Sequence, residues 1–246
     1  MKIKIIYFAG GNRLETLQQI VSSDSFIVTQ IYVANIETNL EKYKIFANEN
    51  KIDFTIANKN NIDEFFKFRG EEVLLSVGYR FIIPETVFSV PKYAINIHPS
   101  LLPKYKGAYS GYAIIENGEK ETGLTAHFID KGIDTGDIIN QKSISLDISD
   151  TIISMSEKIL KIEPNFVIDT LDLIKNKKFN RIKQVSIPND IVYNKKRTPE
   201  DSKIDLSIPL ANLLNKIRAC DQERFPAYFM IGDKKVNIRL EFENEK

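Results

Sequence analysis

Residues 93–107 read Tyr93-Ala94-Ile95-Asn96-Ile97-His98-Pro99-Ser100-Leu101-Leu102-Pro103-Lys104-Tyr105-Lys106-Gly107. The apolar run to Ile97 reads as a short strand. Pro99, which has no N–H to give a sheet, ends it. Asn96 and His98 stand two residues apart, so on a strand both point to the same face. An amide N–H can stabilise an oxyanion, and an imidazole can take or give a proton at neutral pH. Further on, Gly132-Ile133-Asp134-Thr135-Gly136-Asp137-Ile138-Ile139 forms a second turn rich in glycine. A carboxylate at Asp134 is suited to orienting an imidazole, stabilising its charged form or holding a water. Asp130 ends the preceding strand, Asp137 starts the next, and Glu116 reads as a helix-surface residue. Read by chemistry alone, His98 is either a structural strand histidine or a catalytic one, and Asp134 either a turn former or an acid.

Outward from this segment the chain alternates strand and helix. Ile3–Ala9 is apolar and β-branched and runs into Gly10-Gly11-Asn12, a buried strand ending in a tight turn. Asn12 is placed to cap a helix carrying Leu14, Leu17, Ile20 and Val21 on one face. Strands follow at Phe26–Val33, Asp53–Ile56 and Glu72–Val77, with helices at Leu40–Asn50 and Ile62–Phe68 between them. This pattern predicts an α/β, Rossmann-like fold: a mostly parallel sheet with helices on both faces. Ligands then bind beyond the carboxyl ends of the strands, where strand order reverses. Gly10-Gly11, Gly78-Tyr79 and His98 all fall at such ends. Gly123–Ile129 and Asp137–Leu146 read as two more strands. Ser149–Asn176 reads as one long helix or two, with Pro164 kinking or interrupting it. Residues 177–203 are polar and basic and contain Pro188 and Pro199. A capped helix (Leu206–Cys220) and a pair of strands, Tyr228–Ile231 and Val236–Phe242, form a small C-terminal helix and β-hairpin subdomain. The expected division is 1–190 and 191–246.

Composition narrows the classes. The chain has 246 residues, a net charge of +1 and one cysteine. The charge gives no global pull toward nucleic acid or membrane. One cysteine makes neither an internal disulfide nor a Cys-based zinc site, which fits a reducing cytoplasm. Cys220 beside Ala219 reads as a small core residue. The first residues hold no apolar run long enough for a signal peptide, and no stretch reaches the ~20 apolar residues of a membrane span.

The run Asn96-Ile97-His98-Pro99-Ser100-Leu101-Leu102-Pro103, followed by Asp134-Thr135-Gly136, resembles the formyltransferases that use 10-formyltetrahydrofolate. The stretch Gly118–Phe128 is similar to theirs as well. The likeness is dense over 74–145 and looser over 1–73. It implies a Rossmann-like domain, catalysis by Asn96, His98 and Asp134, and no metal. It also implies a folate site at Leu75, Val77, Gly78, Tyr79, Arg80 and Ile82, closed by Asp130 and Gly132.

The tail separates branches of the family. Lys195-Lys196-Arg197-Thr198-Pro199-Glu200-Asp201 and Ile217-Arg218-Ala219-Cys220, leading to Phe225-Pro226-Ala227-Tyr228, are similar to the nucleotide-sugar N-formyltransferases. Glycinamide ribonucleotide enzymes are shorter, and methionyl-tRNA enzymes carry a full second barrel. The resemblance therefore implies transfer to the amine of a nucleotide-linked amino-deoxy sugar, foremost dTDP-4-amino-4,6-dideoxyglucose, for O-antigen or other surface glycans. Formyl transfer to glycinamide ribonucleotide or methionyl-tRNA is the alternative. A formyltetrahydrofolate hydrolase and a non-catalytic folate- or nucleotide-binding protein are alternatives of another class. For the acceptor, Arg197, Arg218 and Arg224 suit phosphates or local ion pairs. Tyr109 and Tyr228 suit stacking on a base or sugar. Gly10, Gly11 and Asn12 suit a phosphate at a helix N-terminus or a plain turn. Lys106 and Ser110 complete the expected acceptor contacts. No nucleic acid or membrane insertion is expected, and a homodimer through the C-terminal region is.

Overall fold

The computed structural model describes residues 2–185, 191–193 and 195–243. Its first half follows the strand–helix alternation. In order come β1 (Ile3–Ala9), α1 (Leu14–Ser22), β2 (Phe26–Ala34), α2 (Leu40–Glu49), β3 (Asp53–Ala57), α3 (Ile62–Phe65) and β4 (Val73–Val77). Then come α4 (Glu85–Phe88), β5 (Tyr93–His98), α5 (Ser110–Glu116), β6 (Glu121–Phe128), β7 (Ile138–Ser145) and α6 (Ile152–Lys175). The seven strands form one sheet in the order β3-β2-β1-β4-β5-β6-β7. β1 to β5 run parallel, β6 is antiparallel to β5, and β7 is antiparallel to β6. After β3 the chain crosses to the far side of β1, so strand order reverses between β1 and β4. That reversal opens a crevice at their carboxyl ends.

Both faces of the sheet are covered, which is why its central strands are apolar on both sides. Ile5, Tyr7, Leu75, Val77, Ile95 and Ile97 pack under α1, α2 and α6 against Leu17, Ile20, Tyr43, Phe166 and Leu171. Ile6, Phe8, Tyr32, Leu74 and Ala94 pack on the other face against Ile62 and Val87. At the reversal point the Gly10 N–H donates to the Val77 carbonyl at 3.1 Å. A Cβ on Gly10 would overlap the Gly78 carbonyl oxygen, so the two strand ends close up only because that residue is glycine.

Several sequence expectations are corrected. Asn12 is exposed and does not cap α1; the capping position is Arg13, whose side chain makes no cap bond. Pro164 does not divide α6, which runs unbroken for 24 residues from a Thr151–Ser154 capping box. The cost of a mid-helix proline, ~3 kcal/mol, is offset by burial of Ile159, Phe166, Val167, Leu171 and Ile174 beside it. Ile62–Phe68 is helical only to Phe65. In the tail, α7 (Leu210–Ala219) starts four residues later than expected, directly after Pro209, and it has no side-chain cap. Its hairpin is β8 (Ala227–Ile231) with β9 (Lys234–Ile238), closed by Ile204, Leu213, Ile217, Cys220 and Ala227. Pro188 and the expected boundary residue 190 lie outside the described residues. Among the described residues no helix is long and apolar enough to cross a membrane.

Candidate active site

β5 delivers Asn96 and His98 to the rim of the crevice, and the turn after β6 delivers Asp134. Asp134 adopts a left-handed backbone (φ 53°), and Gly136 behind it has no room for a Cβ against the Phe128 carbonyl oxygen. This aims the carboxylate back over β5. Its Oδ2 lies 3.3 Å from His98 Nδ1 and accepts the Gly107 N–H at 2.8 Å. Its Oδ1 lies 3.4 Å from Asn96 Nδ2 and 3.4 Å from His127 Nε2. The carboxylate therefore gathers an amide, two imidazoles and a backbone N–H.

The other side of His98 is also fixed. Its Nε2 is 2.8 Å from the Tyr105 carbonyl oxygen, which only accepts. Tyr105 takes a left-handed backbone (φ 60°), stacks on Tyr193 and donates its hydroxyl to Glu119. The loop beneath is pinned by Thr125: its hydroxyl donates to the Ser100 carbonyl and accepts the Leu102 N–H. Burial pushes the His98 pKa below its ordinary value; Asp134 and the Tyr105 carbonyl oppose this without cancelling it. Burial alone would raise the Asp134 pKa, but His98 and the Gly107 N–H overcome it and hold the group well below the usual carboxylate range. The result is an ionised acid beside a neutral imidazole, and the acid stabilises any proton the imidazole takes up.

Sequence reasoning missed three parts of this site. His127 is the residue directly across the antiparallel pair from Asn96. Its signal was faint: it is the second of only two histidines, and it faces Asn96 only once β6 is set antiparallel to β5. Gln184, after α6, donates from Nε2 to the carbonyls of Asp134 (2.9 Å) and Gly136 (2.8 Å), and Ile182 pairs with Ile138 beside it. No local pattern announces that support. Third, Arg13 places its guanidinium beside Gly11 and Gly78 and pairs through Nε with buried Glu163 of α6 at 2.8 Å. Thr16 completes that pair by donating to the other Glu163 oxygen.

The remaining expected residues divide. Leu75 and Val77 bury their side chains in the core, which leaves only backbone at the rim. Tyr79 packs edge-on against Phe8, Arg80 pairs with Glu37 at 3.0 Å, and Ile82 is 76% exposed. Asp130 accepts the Gly132 N–H and the Thr135 hydroxyl, closing the loop on itself. Ser110 is buried at the start of α5, behind half-buried Tyr109. Lys106 and Tyr109 are backbone-paired to the 192–193 segment: Tyr193 N–H donates to Lys106 O, and Tyr109 N–H to Tyr193 O.

Two sets of groups expected at phosphates have partners within the chain. The Gly10–Asn12 turn has its first two N–H groups engaged, Gly10 by Val77 and Gly11 by the Glu37 carboxylate at 2.9 Å. A carboxylate already occupies the place an anion would take. Arg218 is 2% exposed and spends its guanidinium on the Asp147 and Asp150 carbonyls and on Asn215, so it is a structural residue. Arg197 lies over Tyr112 and bonds the Asp201 carbonyl and Cys220, while Arg224 pairs with Asp221 at 2.7 Å. Tyr228 pairs into the hairpin beneath Lys235.

Comparison with known proteins finds relatives by sequence and by fold. The sequence profile of the formyl transferase family matches residues 30–171. The bifunctional polymyxin resistance protein ArnA of Wigglesworthia glossinidia brevipalpis is 32% identical over 240 residues, 94% of this chain and 35% of that protein. A methionyl-tRNA formyltransferase of Pelotomaculum thermopropionicum is 36% identical over 148 residues, 60% of this chain and 46% of that one. The chain thus spans a third to a half of the length of these curated relatives. Among solved structures, a 4-N formyltransferase from Francisella tularensis superposes with a TM-score of 0.82 at 22% identity, covering 99% of both chains. The sugar 3N-formyl transferase WlaRD, solved in the presence of dTDP and 5-N-formyl-THF, superposes with a TM-score of 0.73 at 27% identity. That match covers 99% of this chain and 92% of the other.

Proposed function

The chain belongs to the formyl transferase family, and from that premise we propose that it carries a formyl group from 10-formyltetrahydrofolate to the amine of a nucleotide-linked amino-deoxy sugar. The observation that carries the reading is the convergence of Asn96 and His98 on the ionised carboxylate of Asp134. The folate supplies an activated formyl group. The exposed apolar Ile82, on the loop after Gly78, suits the edge of a flat heterocycle. His98 takes the proton released as the acceptor amine bonds to the formyl carbon, and Asp134 stabilises the imidazolium. Asn96 donates to the formyl oxygen as negative charge develops on it. The same proton then leaves with the folate nitrogen, so His98 ends the cycle neutral. Holding the two reactants in one crevice supplies much of the rate.

The finer reading is that the acceptor is dTDP-4-amino-4,6-dideoxyglucose and that the reaction serves surface-glycan synthesis in the cytoplasm. Its support is the tail resemblance, together with likeness over nearly the whole chain to a sugar 3N-formyl transferase solved with dTDP, which bears on the dTDP carrier and not on the position of the amine. A homodimer through the hairpin, where Met230 and Ile231 are exposed, belongs to the same reading. The test is incubation with 10-formyltetrahydrofolate and a panel of dTDP-, UDP- and GDP-amino sugars, read as the formyl mass increment. The 4-amino dTDP sugar should be the preferred acceptor. Formylation of glycinamide ribonucleotide or methionyl-tRNA alone overturns the reading, and hydrolysis of the folate without any acceptor points to a hydrolase. The second reading, methionyl-tRNA, is favoured by the 36% identity to such an enzyme. It predicts binding that weakens steeply with salt, because phosphate contacts release counterions.

A further inference from the structure

We infer that His127 is a positioning residue that decides which end of the Asn96 carboxamide faces the reacting group. The two ends of that amide have nearly the same shape and opposite hydrogen-bonding character. Catalysis through an N–H therefore requires something to fix the orientation, and Asn96 by itself does not.

The sheet register supplies it. Asn96 and His127 are direct partners across the antiparallel β5–β6 pair, where opposed side chains stand side by side. His127 is buried, and its Nδ1 lies 2.9 Å from the Phe128 carbonyl oxygen. A carbonyl only accepts, so the ring proton sits on Nδ1. In the neutral ring Nε2 then presents a lone pair.

That lone pair is 3.2 Å from Asn96 Nδ2, while Asp134 Oδ1 is 3.4 Å from both. The three atoms form a nearly equilateral triangle. From the amide nitrogen the two acceptors are roughly 60° apart, whereas the two N–H bonds of an amide diverge by about 120°. A single N–H aimed between them reaches both acceptors, and in that arrangement the second N–H is free. Asn96 is half-buried where His98 and His127 are fully buried, so that second N–H belongs to the open side of the cluster. The reversed amide would bring its oxygen against a carboxylate and an imidazole lone pair, three acceptors with no proton among them. His127 and Asp134 together exclude it. Without His127 only the long contact to Asp134 biases the amide.

The mechanistic use of this orientation rests on the formyl-transfer reading; the orientation itself does not. The test accordingly has two arms. With only two histidines in the chain, the nitrogen-15 imidazole spectrum of the wild-type protein resolves both rings, and His127→Gln assigns them. The expected result is a His127 ring that carries its proton on Nδ1 and presents a bare Nε2. A proton on Nε2, in either the neutral or the charged ring, overturns the inference, whatever the enzyme's acceptor proves to be. The second arm compares His127→Leu with His127→Gln, whose amide oxygen can take the place of Nε2. His127→Leu should lower kcat on the order of tenfold, less than the 10²–10³ expected for loss of an oxyanion donor, with KM values unchanged. His127→Gln should recover most of that loss. Equal losses in the two variants, or a loss confined to KM, overturns it. Failure to formylate any acceptor, with the Nδ1 tautomer observed, counts against the functional reading and leaves the orientation standing.

Discussion

Replacing Asp134 with Asn keeps the side chain's shape and removes its charge, so it isolates what the carboxylate does for His98. The Gly107 N–H keeps an oxygen to donate to, and the turn is held behind by Gln184. What disappears is a charge 3.3 Å from the imidazole. At an effective dielectric of about 20 that separation corresponds to ~5 kcal/mol, an upper bound. An opposite charge at such range shifts pKa values by about 1–3 units, or ~1.4–4 kcal/mol. The sign follows from the direction of each effect. Burial already holds His98 below its ordinary value, and Asp134 raises it. Without the carboxylate it falls further. His98 must be neutral to take the amine proton, so the acid limb of kcat/KM against pH should move down by about 1–3 units. The plateau should fall about 10–10³-fold, because the imidazolium formed during transfer loses its counter-ion. Formyl transfer measured from acid to neutral pH, with circular dichroism as a folding control, makes the check. An unmoved acid limb with a plateau within threefold of wild type would refute the electrostatic role.

Asn96→Ala and His98→Asn should each leave the fold intact and cost on the order of 10²–10³ in kcat; normal turnover in either ends that assignment. Glu163→Leu should destabilise the protein by about 3–5 kcal/mol, because it leaves the Arg13 guanidinium charged and without its buried partner. A urea midpoint corresponding to less than about 1 kcal/mol would argue that water replaces the pair. Gly136→Ala should lower stability by about 2 kcal/mol or more and abolish transfer together, since the new methyl meets the Phe128 carbonyl; thermal melting and activity assays read the two effects. Stability should also fall with acid. His98 is lowered in the folded state, so the unfolded chain binds more protons between the folded value and the ordinary one near pH 6.5. Asp134 is also lowered, but its stabilisation is fully in place above about pH 4 and adds no slope there. Chemical denaturation at successive pH values should show a decline below about pH 6.5 that is shallower in His98→Asn.

The parallel half of the fold was legible because its strands are short runs rich in apolar residues, three of them (β1, β4 and β5) closed by a glycine or proline, with helix-period segments between them. The i, i+2 spacing placed Asn96 and His98 together for the same local reason. Long-range packing was not legible. Pro164 reads as a helix breaker, yet the burial of Phe166, Val167 and Leu171 against the sheet keeps α6 whole. The Gly10-Gly11 turn reads as either an anion site or a plain turn, and it is Glu37, 26 residues past Gly11, that takes the Gly11 N–H. His127 reads as an ordinary strand residue until β6 reverses direction. Arg218 reads as a ligand for phosphate or a local ion pair because sequence shows a charge and not the two carbonyls, 71 and 68 residues earlier, that engage it.

The grip of Gln184 on both carbonyls flanking Thr135 bears on how such chains can be recombined. A transplant that joined one relative's sheet to another's tail just past α6 would keep Asn96, His98 and Asp134 and still separate the carboxylate turn from the residue that braces it. The same holds for the Tyr193 strap over Lys106 and Tyr109. A usable seam for exchanging acceptor preference lies beyond Tyr193, so the working unit of this scaffold extends past its last helix on the sheet.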